Sequence, residues 1–150
     1  MAYKGKYRPV NPAKYRGDPT KIIYRSLWER KFMDYCDKNR NVLEWASEEI
    51  TIPYVDPTSG KHRKYYPDFW VKYIDKQGVT KCMLVEVKPK RQLKEPDSSK
   101  KNNTPTGRLS TKYVREVKTY AVNQAKFKAA KEFCLDRKWD WQILTEDHLT

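Results

Sequence analysis

The chain is poor in the residues that most catalytic and metal-binding arrangements require. Its three cysteines, Cys36, Cys82 and Cys134, are odd in number, far apart and form no CxxC pair. That spacing argues against a disulfide framework and against a zinc site, and it suits a reducing cytosol. There are two histidines, His62 in a turn region and His148 near the end. A Ser–His or Cys–His nucleophile would have to use one of them. The five glycines form no phosphate-cradling loop, which argues against nucleotide hydrolysis. No apolar run approaches membrane-spanning length, and the N-terminal region has no signal-peptide core. The expectation is a soluble, intracellular protein.

What the chain has in excess is positive charge. Thirty-two Lys and Arg against nineteen acids leave a net charge of +13. Such a surplus points to a polyanion, most simply nucleic acid held through phosphate contacts and counterion release. No basic amphipathic helix with a strong apolar face argues for a membrane surface instead. The mean hydropathy of −1.00 reflects abundant Lys and Arg. A core is still available, because 38% of residues are hydrophobic, with five Trp and eleven Tyr. One domain of 150 residues is expected.

Residues 1–21 are rich in Tyr, Lys, Arg and Pro, with Asp18 as the one acid. They read as a basic extended N-terminal arm. Such an arm can track a phosphate backbone, dock on a partner or pack on the domain formed by residues 22–150. Ser26-Leu27-Trp28-Glu29 opens a helix with a capping-box pattern, and its apolar stripe runs to about Lys38. Val42 to Tyr54, Arg63 to Ile74 and Lys81 to Lys88 read as three strand regions. Residues 89–111 form a flexible basic loop, suited to clamping a substrate backbone. Thr111 to Arg137 is a long helix whose buried side carries Tyr113, Val117, Tyr120, Ala121, Phe127, Ala130 and Cys134. Gln124 lies near that side, either as a satisfied helix glutamine or reaching a cleft. Trp139 to Leu144 is a final strand, followed by a polar tail. The fold class is α/β, in the order α-β-β-β-α-β.

The chemistry is concentrated in two stretches. One is Tyr65-Tyr66-Pro67-Asp68-Phe69-Trp70, the other Leu84-Val85-Glu86-Val87-Lys88. Between them, Asp75-Lys76-Gln77-Gly78-Val79 is a turn signal. If Lys76-Gln77-Gly78 is a hairpin loop with Gly78 left-handed, Asp75 pairs with Val79 and Asp68 falls opposite Glu86. Directly opposed residues share a face, with Cβ atoms roughly 4.5–5.5 Å apart. Alternation puts Lys88 on that face as well. Two such carboxylates repel by roughly 3 kcal/mol at an effective dielectric of about 20. Lys88, a divalent cation or protonation of one acid must offset this. Asp and Glu oxygens are the ligands that Mg²⁺ prefers. A solvated hairpin with an ordinary Lys–Glu pair is the alternative, but the apolar neighbours place the acids in a partly buried cleft. Glu29 has its own alternative, as the capping-box acid on the Ser26 backbone.

The order helix, three-strand meander, long helix, strand resembles the restriction-endonuclease-like core, with a mixed central sheet of about four strands flanked by helices. The resemblance covers roughly residues 22–145. The P-D…E-x-K pattern of that PD-(D/E)xK superfamily is matched by Asp68, Glu86 and Lys88, and an acid on the first helix by Glu29. The Ser-Leu-Trp-Glu start is similar to the endonuclease subunit of heteromeric transposases. In length, charge and motifs the whole chain resembles the head-completion nucleases of T-even tailed bacteriophages. Gln124 matches in position a glutamine of some related nucleases, although Lys128 stands where they carry a tyrosine.

The resemblance implies a metal-dependent DNA endonuclease with little sequence specificity. Its Mg²⁺, replaceable by Mn²⁺, would be held by Glu29, Asp68, Glu86 and the Val87 carbonyl, with Lys88 orienting the nucleophile or stabilising developing charge. It implies double-stranded DNA as substrate, at phage genome ends after packaging, with capsid portal vertex or neck proteins as partners. The location would be the bacterial host cytoplasm, in association with the virion. The competing expectations are a non-catalytic DNA-binding head plug that retains the fold and a ribosomal-type RNA-binding protein.

Overall fold

The computed structural model describes residues 3–149. Two short antiparallel strands, β1 (Gly5–Lys6) and β2 (Ile23–Tyr24), precede helix α1 (Leu27–Lys38). Strands β3 (Val42–Ser47), β4 (Ile52–Val55), β5 (His62–Tyr65), β6 (Phe69–Ile74) and β7 (Thr80–Val87) follow. Helix α2 (Thr111–Arg137), strand β8 (Asp140–Leu144) and helix α3 (Glu146–Leu149) complete the described chain. The central sheet has the order β3-β6-β7-β8, with β8 parallel to β7 and the other pairs antiparallel. This is the mixed four-stranded α/β sheet expected from the sequence.

Local chemistry sets the ends of these elements. Ser26 Oγ accepts the Glu29 N–H at 3.1 Å and caps α1. Ser110 Oγ accepts the Tyr113 N–H at 3.3 Å and caps α2. In the β6–β7 hairpin, Gly78 has φ +79 and donates to the Asp75 carbonyl at 3.0 Å. The Asp75 N–H reaches the Val79 carbonyl at 2.9 Å. Pairing then runs from Ile74 opposite Thr80 to Phe69 opposite Val85. Asp68 and Glu86 come next in line, as the turn signal required.

Two expected strands are each broken in the structure. The first becomes β3 and β4, and the second becomes β5 and β6. Strands β4 and β5 pair with each other outside the main sheet, and β4 packs against α2. Pro67 has no N–H for a ladder and disfavours helical backbone at Tyr66. After β3, Glu48 turns the chain in the left-handed conformation, at φ +54. The three-strand meander is thereby interrupted by a separate hairpin, which brings Tyr65 to the future site.

Side-chain alternation divides the core into two layers. Phe69, Val71, Val85 and Val87 face α1 and pack with its Phe32, Met33 and Cys36. Leu84 faces α2 and packs with Ile52, Tyr54, Tyr65, Ala130 and Cys134. The N-terminal stretch has little regular structure, as expected of an arm, but it is packed. Tyr7, Tyr15 and Ile22 are buried in the α1 layer. Buried Asp37 accepts the Val10 N–H at 2.7 Å and the Asn11 N–H at 3.0 Å. Helix α2 has the expected span but a shorter buried stripe: Asn123, Phe127, Ala130 and Cys134. Val117 is exposed, because the first turns of the helix extend past the layer that covers the rest. The expected polar tail instead forms α3, and its Leu149 is buried.

Candidate active site

The site begins where the β6–β7 ladder ends. Beyond the Phe69–Val85 pair, side chains replace backbone bonds. Asp68 Oδ2 accepts the Val87 N–H at 2.7 Å, and the Asp68 N–H points to Glu86 Oε1 at 3.4 Å. On its other edge β7 stays paired with β8 through Glu86 and Val87, and the Lys88 N–H continues to the Leu144 carbonyl at 2.9 Å. Strand β7 therefore remains anchored while the chain before β6 peels away at Pro67. Asp68 and Glu86 lie side by side at that fork.

Glu86 is 4% exposed. Its Oε1 accepts the Tyr65 hydroxyl at 2.6 Å, and its Oε2 lies 3.4 Å from Lys88 Nζ. Lys88 shares the Glu86 face, as strand alternation demands. Burial, and then the charge of Glu86, hold the Asp68 carboxyl well above the usual carboxylate range. The Val87 N–H and Lys88 act in the opposite direction without cancelling this.

Glu29 arrives from α1, on the other face of the sheet. Its backbone N–H serves the Ser26 cap, but its carboxylate does not complete a capping box on Ser26. Oε1 instead makes a long contact to the Arg25 N–H at 3.4 Å. Burial raises its pKa, and the charges of Glu48 and Glu86 add to the rise. Glu29 in turn raises that of Asp68. The three acids singled out from the sequence thus act on one another at one end of the sheet. Glu29, Val87 and Lys88 also line a cleft of about 790 Å³, together with Trp28, Arg91 and Gln92.

The donor set fits a hard divalent cation. Two adjacent carboxylates, one with its charge strongly disfavoured, supply oxygen ligands of the kind such ions take. Among the described residues, no group of three His, Cys, Asp or Glu side chains is arranged to hold an ion by itself. Mg²⁺ sites usually keep several waters and substrate phosphate among their ligands.

Other expectations fare differently. Gln124 is exposed, and its neighbour Asn123 is the buried residue. The side chain of Gln124 faces solvent, not the packed layer beneath α2. Lys126 is the α2 side chain that approaches the site. Its Nζ lies 5.6 Å from the Tyr65 ring centroid and 5.9 Å from that of Tyr54. Burial lowers its pKa, and the charge of Lys88 lowers it further. His148 Nδ1 accepts the Thr145 N–H at 3.0 Å, a local bond at the start of α3, and His62 is exposed on β5.

Tyr65, Lys126, Arg25 and Glu48 were missed in the sequence. Arg25 pairs with Glu48, and both act electrostatically on Glu29. Tyr65 lies beside the motif, but the break at Pro67 removes the alternation that would have placed it. A positive φ at Glu48 has no signature in a non-glycine residue, and Lys126 looks like any other helix lysine.

Comparison with known proteins places the whole chain among nucleases. Residues 39–146 match the family described as TnsA-like endonuclease N terminal. The chain is also 40% identical, over 149 residues, to the "Head completion nuclease" of Enterobacteria phage T4, spanning 99% of this chain and 95% of that protein. The mixed sheet flanked by helices is thus that of a restriction-endonuclease-like fold, and the chain belongs to the TnsA-like endonuclease family.

Proposed function

We propose that this protein is a metal-dependent DNA endonuclease of the PD-(D/E)xK type. The observation that carries the reading is the pairing of Asp68 and Glu86 at the splayed end of the hairpin, with Lys88 Nζ 3.4 Å from Glu86. A buried pair of like charges is costly to keep in a fold. A cation held during catalysis gives it a purpose.

Asp68 and Glu86 would hold Mg²⁺, or Mn²⁺ in its place, with the Val87 carbonyl as a further donor, and Glu29 would complete the shell or hold a second ion from the α1 layer. When bound, such an ion polarises a phosphate and lowers the pKa of a coordinated water. The Val87 N–H fixes the Asp68 carboxylate and leaves its second oxygen free for this role. Lys88 orients the attacking water or stabilises negative charge developing on the phosphate oxygens. Glu29 adds acidic charge from the opposite layer. Arg91, in the adjoining cleft, and the basic residues of the 89–111 loop hold the phosphate backbone. Among the described residues no array of side chains suited to reading base edges accompanies them, which supports cleavage with little sequence specificity.

The substrate is double-stranded DNA. The resemblance to a phage head completion nuclease supports action on phage DNA after packaging, in the host cytoplasm and in association with the virion, docked on portal vertex or neck proteins.

Plasmid nicking and linearisation test the reading, with wild type, Asp68→Ala and Glu86→Ala compared in Mg²⁺, Mn²⁺ and EDTA. Metal-dependent cleavage lost in both variants, with DNA binding retained, is the expected result. A wild type that binds DNA and cuts none of several DNA structures, together with normal head completion by Glu86→Gln, would favour the non-catalytic plug.

A further inference from the structure

We propose that Tyr65 is a positioning residue for the Glu86 carboxylate, seated by Lys126 of α2. The inference rests on the metal-nuclease reading and deepens it. Tyr65 ends β5, the hairpin strand outside the main sheet, and is 4% exposed. Its hydroxyl donates to Glu86 Oε1 at 2.6 Å. The other contacts to that carboxylate are longer, with the Asp68 N–H at 3.4 Å and Lys88 Nζ at 3.4 Å. A short bond from a rigid buried ring decides which oxygen points away from the reaction centre. Oε1 is taken by Tyr65, and Oε2 is left facing Lys88, where it would be available to a cation.

The proton of Tyr65 stays on its oxygen. A phenol is protonated at neutral pH, so the hydroxyl acts as the donor to Glu86 Oε1. Groups that hydrogen-bond to metal-binding side chains orient them and tune their basicity. Lys126 supports the ring from α2, with Nζ 5.6 Å from its centroid. Glu86, Asp56 and Asp68 all act on the charge of Lys126. This half-buried lysine lies against both tyrosine rings, 5.6 Å from the centroid of Tyr65 and 5.9 Å from that of Tyr54.

The test uses the full chain and Mn²⁺ alone as the probe, by calorimetry without DNA, alongside steady-state cleavage. Tyr65→Phe removes one oxygen and keeps the ring. Mn²⁺ affinity should fall about tenfold and kcat by about 10–100-fold, while KM for DNA stays within about twofold. In a Glu86→Gln background, Tyr65→Phe should change Mn²⁺ affinity by less than about twofold, because the two residues act as a unit. Lys126→Met is the second variant, and it separates two physical causes. If Lys126 acted only as a nearby positive charge, its removal would tighten Mn²⁺ binding. If it seats Tyr65, removal weakens binding.

Tyr65→Phe at wild-type affinity and kcat would overturn the inference alone. So would an undiminished Tyr65→Phe effect in the Glu86→Gln background, or tighter Mn²⁺ binding by Lys126→Met. A wild type that neither binds Mn²⁺ nor cuts DNA would overturn the metal-nuclease reading and this inference with it.

Discussion

Asp68→Asn should make the metal-free protein more stable while abolishing cleavage. Opposed carboxylates at roughly 5 Å and an effective dielectric of about 20 repel by roughly 3 kcal/mol. Lys88, 3.4 Å from Glu86, already offsets part of this, and so does the nearby charge of Lys126. About 1–2 kcal/mol remains to be gained. Asparagine keeps an oxygen for the Val87 N–H that Asp68 accepts at 2.7 Å, so the substitution removes charge without orphaning a donor. For a chain of this size the gain corresponds to a rise in Tm of roughly 2–8 °C.

The pH dependence has a definite sign. The pKa of Asp68 is raised in the fold, so the folded state holds this proton more tightly than the unfolded one. The stabilisation from protonated Asp68 is fully present below about pH 4 and is lost as pH rises through the raised value. The difference between Asp68→Asn and wild type is therefore small near pH 4 and opens toward pH 7. Thermal melts in EDTA at both pH values measure it, and added Mg²⁺ should narrow it by stabilising wild type alone. A variant less stable than wild type at pH 7 in EDTA would refute the reasoning, because Asp68 would then be a structural partner rather than a site charge kept at a cost.

Further perturbations probe the surroundings of the site. Asp37→Ala leaves the Val10 and Asn11 N–H groups without their acceptor; urea unfolding should show a loss of roughly 3 kcal/mol, with faster hydrogen exchange at residues 7–14. Glu29→Gln should cut cleavage by at least about tenfold and move Tm by no more than about 2 °C, since the Ser26 cap on the Glu29 N–H is untouched. A drop in Tm with unchanged cleavage would return Glu29 to the role of helix cap. Neutralising Lys100, Lys101 and Arg108 should flatten the log–log salt dependence of DNA binding by about 0.9 for each phosphate no longer neutralised, and an unchanged slope would remove the loop from the interface. Asp56 lies well below the usual carboxylate range, at about 2, held there by bonds from Thr58 and then by Arg63. Its contribution to stability should therefore be present above about pH 4 and fade as pH falls toward 2, which acid melts of wild type and Asp56→Ala would show.

The readable parts of the fold were those governed by short-range chemistry. Ser26 and Ser110 mark their helix starts because a side-chain oxygen beside free N–H groups acts within one turn. The Asp75–Val79 turn set the hairpin register, because a loop with Gly at its left-handed position admits few strand alignments. From that register the meeting of Asp68, Glu86 and Lys88 followed by counting. The breaks were less legible. Pro67 was visible, but its removal of β5 from the main sheet depended on where β4 could pair. Val117 and Phe127 look alike on a helical stripe, and only the reach of the layer beneath α2 decides that one is exposed and the other buried.

Local sequence therefore dictated the hairpin, the facing acids and the lysine two residues on, because strand alternation and turn geometry act over neighbouring residues and need no distant partner. Long-range packing decided what surrounds them. It brought Glu29 from the α1 layer, Tyr65 from a hairpin outside the main sheet and Lys126 from α2, while turning Gln124 to solvent. Those placements depend on helix phase, on the break at Pro67 and on how two layers close over one sheet. The pKa of Asp68 depends on them as well, since burial and the charges around it exist only once distant segments have packed together.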